Sequence, residues 1–425
     1  MSSRRQFVLS SGASAIAASA SAKTFARAGD RDIQVGVMGL SRGLALAKDL
    51  TKLPGVSVKY VCDVDSLRTQ KAIAELKALG SESVKSVGDF RRILEDDSVD
   101  ALVCAAPNHW HAPATIMACK AGKHVYVEKP CSHSPAEGEA MIQAADTFKK
   151  CVQMGTQRRS YAGVIDAMSR LHNGAIGEPK LARCYYSNLR GSIGVGTKAA
   201  IPAHLNYELW QGPVPAREYT SNVVHYNWHW FWHWGGGELG NNGPHGLDLC
   251  RWGLQVDFPV FATSAGARTW FQDDQETPDV QTACFGFEGG KQITWQATSC
   301  NRHQPSAFCT FFGDKGSLEL EYDGTFRIYN RDDKLVEESA KSNSGQRDHL
   351  LNFIEAVRED SPEHLTQPIE EGHKSTLLCQ LGNIAYRTNE TVHSSHEDGH
   401  ILGSKQQAEL WQREYASSWA PDLEI

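Results

Sequence analysis

The sequence lacks several features that would define its class immediately. Beyond the first 28 residues no segment has the run of about 18 apolar residues that a membrane helix needs. Basic residues are not in excess, since 43 lysines and arginines stand against 50 acidic residues and give a net charge of −7. A basic nucleic-acid-binding face is therefore not expected. With 41% hydrophobic and 22% charged residues, the composition favours an ordinary soluble globular protein.

Paired cysteines are also missing. The 11 cysteines are odd in number and stand singly in apolar runs such as YVCDV, LVCAA and TLLCQL. Such placement is typical of buried thiols rather than of a disulfide framework. No Cys-x-x-Cys pair indicates zinc, and no metal is predicted.

The first residues are typical of an export signal. Arg4 and Arg5 precede Phe7 and a moderately apolar stretch of alanine and serine with Ala-x-Ala sites. This order predicts a twin-arginine signal peptide at residues 1–28, use of the twin-arginine export machinery, and a periplasmic protein. A disordered basic amino terminus is the alternative.

The next residues predict a dinucleotide-binding domain at residues 29–156. IQVGVMGL, LALAKDLTKL and VSVKYVCDV read as strand, helix and strand, the opening of a doubly wound Rossmann sheet in an α/β protein. The intervening turn would hold a pyrophosphate at the helix amino terminus. Ser41 stands where the second glycine of G-x-G-x-x-G is expected, and the turn is one residue short. The predicted turn residues are Gly39, Leu40, Ser41, Arg42 and Gly43.

Asp63 ends the second predicted strand about 20 residues after this turn, where an acid can bind the adenosine ribose. An acid at this position repels a 2′-phosphate, so NAD is favoured over NADP. The alternative is that Asp63 caps a helix and that Asp65 serves the ribose.

Two more strand–turn–helix units follow, with helices expected from about His111 and from about Ser134. Polar side chains at the carboxyl ends of their strands should line the ligand crevice. His109 and His111 could suggest a metal, but no third ligand is evident and we interpret them as pocket lining or caps. The predicted cofactor contacts in these units are Pro107, Asn108, His111, Glu128 and Lys129.

The stretch APNHWHAPATIMACKAGKHVYVEKP resembles the glucose-fructose oxidoreductase / inositol dehydrogenase / MocA family, or Gfo/Idh/MocA. In that family the peptide bond before this proline is often cis. The resemblance therefore implies a cis bond before Pro130, and it implies that Lys129 reaches both cofactor and substrate. Loss of hydration at the mouth of an apolar site would independently lower the pKa of Lys129 and suit it to proton transfer.

Residues 157–425 are predicted to form a substrate-binding and oligomerisation α/β domain. A helix at about residues 161–173 precedes many short alternating segments, which predict an open, mainly antiparallel sheet. Its exposed face would support a homo-oligomer, a dimer or tetramer. Near the domain boundary Gln157, Arg158, Arg159 and Tyr161 could face the pocket, and Arg159 and Tyr161 are predicted substrate contacts.

A run of alternating tryptophans lies at Trp228, Trp230, Trp232 and Trp234. One interpretation is a strand that buries every second side chain. The other is a sugar site in which flat rings stack on a pyranose. The predicted substrate contacts here are Trp228, His229 and Trp232.

GGGELGNNGPHGLD predicts a helix with Pro244 in its first turn, capped by Asn242 or Gly243. The family pattern is a glycine run, an acid, and a histidine four residues on. The resemblance makes His245 the base, but Asn241 occupies the place of the acid. Asparagine can hold a substrate hydroxyl but cannot take up a proton. Glu238 or Asp248 could substitute.

Three functions remain open. The first is an exported NAD(P)-dependent oxidoreductase acting on a CH–OH group of a sugar, glycoside or polyol, with tightly held and recycled NAD. Its catalytic residues would be Lys129, His245 and Asn241. The second is an NAD-dependent glycosidase that uses transient oxidation and elimination, with Tyr185, Tyr186 or His229 as the base. The third is a non-catalytic sugar-binding relative.

Overall fold

The amino-terminal half contains the predicted parallel sheet. The computed structural model describes residues 32–304, 306–341 and 344–425, so the predicted signal peptide lies outside the described residues. The strands of this sheet are β1 (Ile33–Met38), β2 (Val56–Cys62), β3 (Lys85–Val87), β4 (Ala101–Cys104), β5 (His124–Val127) and β6 (Val152–Met154). Among the described residues they pair in parallel in the order β3-β2-β1-β4-β5-β6, the arrangement of a Rossmann domain.

Helices connect these strands because apolar runs alternate with amphipathic ones. They are α1 (Arg42–Leu50), α2 (Ser66–Lys77), α3 (Arg91–Leu94), α4 (Asn108–Lys120) and α5 (Pro135–Phe148). α5 begins after Ser134, as predicted, in a capping box with Glu137. α4 begins three residues earlier than expected, because Pro107 takes the cap position and the helix starts directly after it.

The carboxy-terminal half contains the predicted open, mainly antiparallel sheet. It follows α6 (Ala162–His172). Its strands are β7 (Pro179–Leu189), β8 (Phe261–Ala267), β9 (Val280–Gly286), β10 (Gln292–Thr298), β11 (Cys300–Asn301), β12 (Cys309–Gly313), β13 (Gly316–Leu320), β14 (Phe326–Asn330), β15 (Leu335–Glu338) and β16 (Val392–His393). In the described chain the order is β15-β14-β13-β12-β7-β10-β9-β8-β16, with β11 beside β7, and β7 and β10 are parallel neighbours.

The remaining helices pack this sheet and return to the first one. They are α7 (Tyr207–Gln211), α8 (Gly237–Leu254), α9 (Gln346–Glu359), α10 (Ile369–Thr388) and α11 (Lys405–Glu409). Leu247 of α8 and Leu381 of α10 share a buried core with Phe285 and Trp295 of the sheet. Residues 32–425 form one compact unit.

α9 belongs to the core of the amino-terminal sheet, although it lies far along the chain. Leu350, Phe353 and Ile354 are buried against Val35 and Val103 of the parallel strands. The ring of Phe353 meets that of Tyr126 in β5 edge-on, with centroids 5.8 Å apart. The dinucleotide domain is therefore completed by residues from the second half of the sequence.

The predicted tryptophan strand is wrong. Residues Asn227–Trp230 form a 3₁₀ turn, and further turns lead into α8. Trp228 and Trp234 instead belong to a small aromatic core with Trp210 and Phe231. Alternation along the sequence was produced by packing around tight turns rather than by a pleated strand.

The predicted start of the histidine-bearing helix is also wrong. α8 begins at Gly237 with Gly236 as its cap, and Pro244 lies inside the helix. The glycines allow close packing rather than forming a loop. A Cβ built on Gly243 would lie 2.9 Å from Cys379 Sγ in α10. A Cβ on Gly246 would lie 2.9 Å from the Cβ of Cys184 in β7.

The cysteines are free thiols, as predicted, and all but the half-buried Cys284 are buried. Among the described helices, none combines the length and the apolar character needed to cross a membrane.

We expect Phe353→Ala to destabilise the protein by about 3–5 kcal/mol, because it opens a cavity in the dinucleotide-domain core. Urea denaturation measures the change. Glu355→Ala, on the exposed face of the same helix, is the control and should change stability by less than about 0.5 kcal/mol. Equal effects of the two substitutions would contradict the assignment of α9 to this core.

Candidate functional site

A cavity of 340 Å³ lies beyond the carboxyl ends of the parallel strands, where ligands of doubly wound sheets bind. Gly39 and Asp63 line it on the dinucleotide-domain side. Lys129, Asn241 and His245 line it where α8 meets the end of β5. The structure thus brings together most of the predicted site residues from both halves of the chain.

The turn after β1 is built for close backbone approach. Gly39 has φ +85°, and a Cβ there would lie 2.5 Å from the carbonyl oxygen of Ala105. Only glycine fits this position. Leu40, Ser41 and Arg42 line the cavity. Gly43 does not: a Cβ on it would lie 3.0 Å from Val37 Cγ1, so it serves the packing of α1 on β1.

Asp63 lies at the end of β2 and lines the cavity as predicted. Its carboxylate accepts the backbone N–H groups of Leu40 (2.8 Å) and Asp65 (3.0 Å). Burial raises the pKa of Asp63, and these two bonds oppose the increase. Asp65 instead accepts from the amide of Leu67 as the cap of α2 and faces His225, which leaves Asp63 as the ribose candidate.

The first turn of α4 lines the cavity with Pro107, Asn108 and His111. His111 Nδ1 lies 2.6 Å from the carbonyl oxygen of Pro130, and Nε2 lies 2.8 Å from that of Ala106. The ring therefore ties the end of β4 to the end of β5. Burial lowers the pKa of His111, and the two carbonyl contacts oppose this decrease.

Glu128 is committed to an ion pair. Its Oε1 accepts from Arg42 Nε at 2.9 Å, and Arg42 also donates to Gln346 of α9. Both Arg42 and Glu128 line the cavity, so the pair forms part of its wall. The pairing leaves Glu128 poorly suited to proton transfer.

Lys129 is held by Asn241, where the resemblance led us to expect an acid. Its Nζ donates to the backbone oxygen of Asn241 at 2.7 Å and to the side-chain Oδ1 at 2.9 Å. The peptide between Lys129 and Pro130 is cis, as the resemblance implied. Burial lowers the pKa of Lys129 from its ordinary value of 10.5.

His245 lies one turn after Asn241 on α8 and lines the same end of the cavity. Its Nδ1 is buried and has no hydrogen-bond partner among the described residues. Burial lowers the pKa of His245 well below its ordinary value, and the charges of Arg158 and Lys129 act in the same direction. An unpartnered buried nitrogen is the kind of group that a ligand satisfies.

Two acids, Glu238 and Asp248, could have taken the role of the acid expected at position 241. Both form ion pairs elsewhere. Asp248 accepts two hydrogen bonds of 2.9 Å from Arg159. Although burial alone would raise the pKa of Asp248, Arg159 holds it below its ordinary value. Glu238 is buried and paired with Arg190. Neither carboxylate lines the cavity.

Three predicted substrate contacts do not line the cavity. Arg159 is held in an ion pair with Asp248 and does not reach the cavity. Tyr161 is buried in the core of the second domain. Trp232 packs 5.1 Å from the Arg387 guanidinium and donates its backbone N–H to Glu276.

The aromatic segment before α8 covers the cavity. Trp228 and His229 line it and stack on one another with centroids 3.7 Å apart. Trp210, His225 and Tyr226 line it too, and sequence reasoning missed them. The aromatic composition of HYNWHW was the available signal for the last two, but Trp210 in α7 carried none.

These residues fit a bound dinucleotide. The cavity volume lies in the range of about 300–1,000 Å³ typical of ligand pockets. The glycine cradle leaves room for a pyrophosphate, and Asp63 stands at the ribose position. Among the described residues, no cluster of histidine, cysteine and acidic side chains could hold a metal ion.

A Rossmann sheet with a glycine turn at a cavity shared with a mixed-sheet domain defines a two-domain dinucleotide-binding protein. Residues 33–156 match the domain "Oxidoreductase family, NAD-binding Rossmann fold", and residues 190–421 match "Oxidoreductase family, C-terminal alpha/beta domain". The chain belongs to the Gfo/Idh/MocA family of oxidoreductases. This confirms the predicted family, fold and NAD cofactor.

Curated relatives include two inositol dehydrogenases. Inositol 2-dehydrogenase of Salmonella typhimurium is 27% identical over 178 residues, which cover 42% of this chain and 51% of that enzyme. The scyllo-inositol 2-dehydrogenase (NAD(+)) of Bacillus subtilis is 34% identical over 152 residues, covering 35% and 43%. The chain thus spans about half the length of the curated relatives it matches.

Solved structures share the fold over most of their length. Levoglucosan dehydrogenase in complex with NADH and levoglucosan has a TM-score of 0.65 at 18% identity, covering 85% of this chain and 99% of that one. An aldose-aldose oxidoreductase from Caulobacter crescentus complexed with glycerol has a TM-score of 0.63 at 19% identity, covering 85% and 100%.

We expect Gly39→Ala to weaken NAD binding by about 100-fold, or about 2.8 kcal/mol, because the new methyl group would meet the backbone after β4. Calorimetric titration of nucleotide-free protein with NAD measures it. Gly88→Ala is the control, since Gly88 lines the same cavity but its Cβ would meet nothing within 4 Å. Unchanged affinity in Gly39→Ala would contradict the cradle.

Proposed function

We propose that the protein is an NAD-dependent oxidoreductase that acts on a CH–OH group of a sugar, glycoside or polyol. The observation that carries the proposal is the Lys129–Asn241 contact beside the unpartnered His245, at the far end of a cavity that begins at the dinucleotide turn. The names of the inositol and levoglucosan dehydrogenases support this substrate class.

In this proposal the protein side chains position the substrate and move its proton. NAD, when bound, supplies the hydride acceptor. His245 is neutral at working pH because burial lowers its pKa so far, and its Nδ1 orients the reacting hydroxyl. Lys129, whose pKa burial lowers, takes the hydroxyl proton once it is itself deprotonated. The role of base, which the resemblance gave to His245, thus moves towards Lys129.

Asn241 takes a positioning role in this scheme. Its backbone oxygen and side-chain Oδ1 both accept from Lys129 Nζ, which fixes the direction of the amine. An asparagine adds no charge, so it does not raise the pKa of Lys129 as an aspartate would. The substitution therefore favours the neutral amine.

The oxidation–elimination alternative receives less support from the geometry. Tyr185 and Tyr186 do not line the cavity. His229 does, but burial lowers its pKa to about 3, which makes it a weak base. Relatives named as glycosidases are about as similar to this chain as the inositol dehydrogenases are. One is a glycosyl hydrolase family 109 protein of Saccharopolyspora erythraea, which is 30% identical over 37% of this chain.

We expect kcat/KM for oxidation to rise with pH and to level off below pH 10.5, as Lys129 loses its proton. Lys129→Gln should lower kcat/KM by about 100- to 10,000-fold and remove this inflection. NADH formation from a panel of polyols and sugars across pH measures both. Lys180→Gln, at an exposed position of β7, is the control. An unchanged inflection in Lys129→Gln would reject Lys129 as the base.

The proposal extends to export with the cofactor already in place. Arg4, Arg5 and Phe7 support a twin-arginine route to the periplasm, where free NAD is scarce. The cover formed by Trp210, His225 and Trp228 supports a retained cofactor that is recycled within the site. A homo-oligomer built on the open sheet remains part of the proposal.

Purified protein should release NAD or NADH on denaturation, at about one molecule per chain. Mass spectrometry of the supernatant identifies and counts the nucleotide. Gly39→Ala, purified in the same way, should release far less. Nucleotide-free wild-type protein would contradict retention, and failure to bind added NAD would favour a non-catalytic relative.

A further inference from the structure

Arg158 is a buried arginine beside the candidate site. It follows the cavity-lining Gln157 in the 3₁₀ turn Gln157–Ser160, and it is 5% exposed. Its guanidinium carbon lies 4.0 Å from the ring centroid of Tyr322 and 4.9 Å from that of Phe308. Phe308 is buried whereas Tyr322 is about half exposed, so this aromatic slot is open on one side.

No carboxylate of the described residues neutralises Arg158. The described chain gives its guanidinium group neither an ion pair nor a hydrogen bond, and the buried Nε has no partner. The internal residues outside the description, Pro305, Ser342 and Asn343, carry no acid. By contrast Arg159 is paired with Asp248, and the arginines at 42, 190 and 251 are paired too.

The slot adjoins the reacting end of the cavity. Phe308 lies against the turn of α8 that carries His245, since a Cβ on Gly246 would lie 3.6 Å from Phe308 Cζ. Electrostatics agree with this proximity. Burial is the largest cause of the lowered pKa of His245, and the charge of Arg158 is the next. The charge of Arg158 also lowers the pKa of Lys129, as the last of several causes.

A buried charge is costly unless it is paired, so an unpaired arginine at a ligand site calls for an anion. The hydrogen bonds of Lys129 strengthen the argument. Lys129 Nζ is bonded to neutral oxygens only, and neither Lys129 nor Arg158 forms an ion pair in the described structure. Lys129 on the cavity wall and Arg158 behind that wall thus both lack an ion-pair partner among the described residues.

We propose that Arg158 binds a carboxylate of the substrate, so that the protein acts on an acidic sugar such as a uronate or aldonate. This rests on the proposed oxidoreductase function. One guanidinium matches one negative charge, and its planar fork fits a carboxylate in a slot walled by aromatic rings. Arg158 recognises the acid, while Lys129 and His245 attend to the reacting hydroxyl.

The test compares charged and uncharged partners of one shape. NAD-loaded protein is titrated calorimetrically with glucuronate, galacturonate and mannuronate, and with the corresponding amides, and NADH formation is followed in parallel. We expect at least one acid to bind about tenfold or more tightly than its amide. Arg158→Gln should abolish this preference, and Arg158→Lys should retain part of it.

Arg183→Gln is the matched control, since Arg183 is an exposed arginine stacked 5.5 Å from Phe312 on the same sheet. It should leave the preference intact. Thermal melting checks folding, since Arg158→Gln also removes the ring contacts with Tyr322 and Phe308. If Arg158→Gln does not fold, the acid-to-amide ratio of Arg158→Lys decides.

Equal binding of acids and amides would overturn the inference, as would a preference that survives in Arg158→Gln. Arg158-dependent binding of glucose 6-phosphate without binding of any uronate would also overturn it, in favour of a phosphate. NADH formed equally from acidic and neutral sugars leaves the proposed function standing without the inference. If uronates bind in an Arg158-dependent way but no sugar yields NADH, the inference stands and the proposed function fails.

Discussion

The close approach of α8 to its neighbours is the constraint on which the site depends. Positions 243, 246 and 253 are glycines, and a Cβ at each would lie 2.9 Å or less from a side chain of α10, β7 or β12. The helix can therefore lie between the mixed sheet and α10 with almost no space between them. Because the helix is rigid, this packing fixes Asn241, which holds Lys129, and His245 one turn further on along the cavity wall.

Buried ion pairs around this helix determine which of its side chains face the cavity. Arg159 engages Asp248, and Arg190 engages Glu238, so the two acids of α8 are held away from the cavity. Lys129 is left with neutral oxygens as its partners. The amine of Lys129 thus has no carboxylate as a direct partner, in a protein whose net charge is −7. Local placement of charge, rather than composition, sets the chemistry of the site.

Sequence reasoning succeeded where a local pattern is also a structural cause. The glycine turn, the apolar strands and the Lys129–Pro130 motif were located because each requires particular residues at fixed spacing. It failed where packing overrides pattern. The helix was predicted to begin at about Pro244, although the residues from Gly237 to Gly243 already form its first turns. The alternating tryptophans suggested a strand, but the same alternation is produced by turns that bury some of the rings. Arg159 was assigned to substrate because its partner, Asp248, lies 89 residues away.

The position of α9 has a consequence for synthesis. The core of the dinucleotide domain contains strands that begin at Ile33 and a helix that ends at Glu359. A nascent chain that has emerged only as far as residue 156 exposes the apolar surface that α9 would cover, so the domain cannot reach its full stability before most of the polypeptide has left the ribosome. Both halves of the protein must then complete their folding together. A finished dinucleotide domain consequently requires that the chain has been made at least as far as α9.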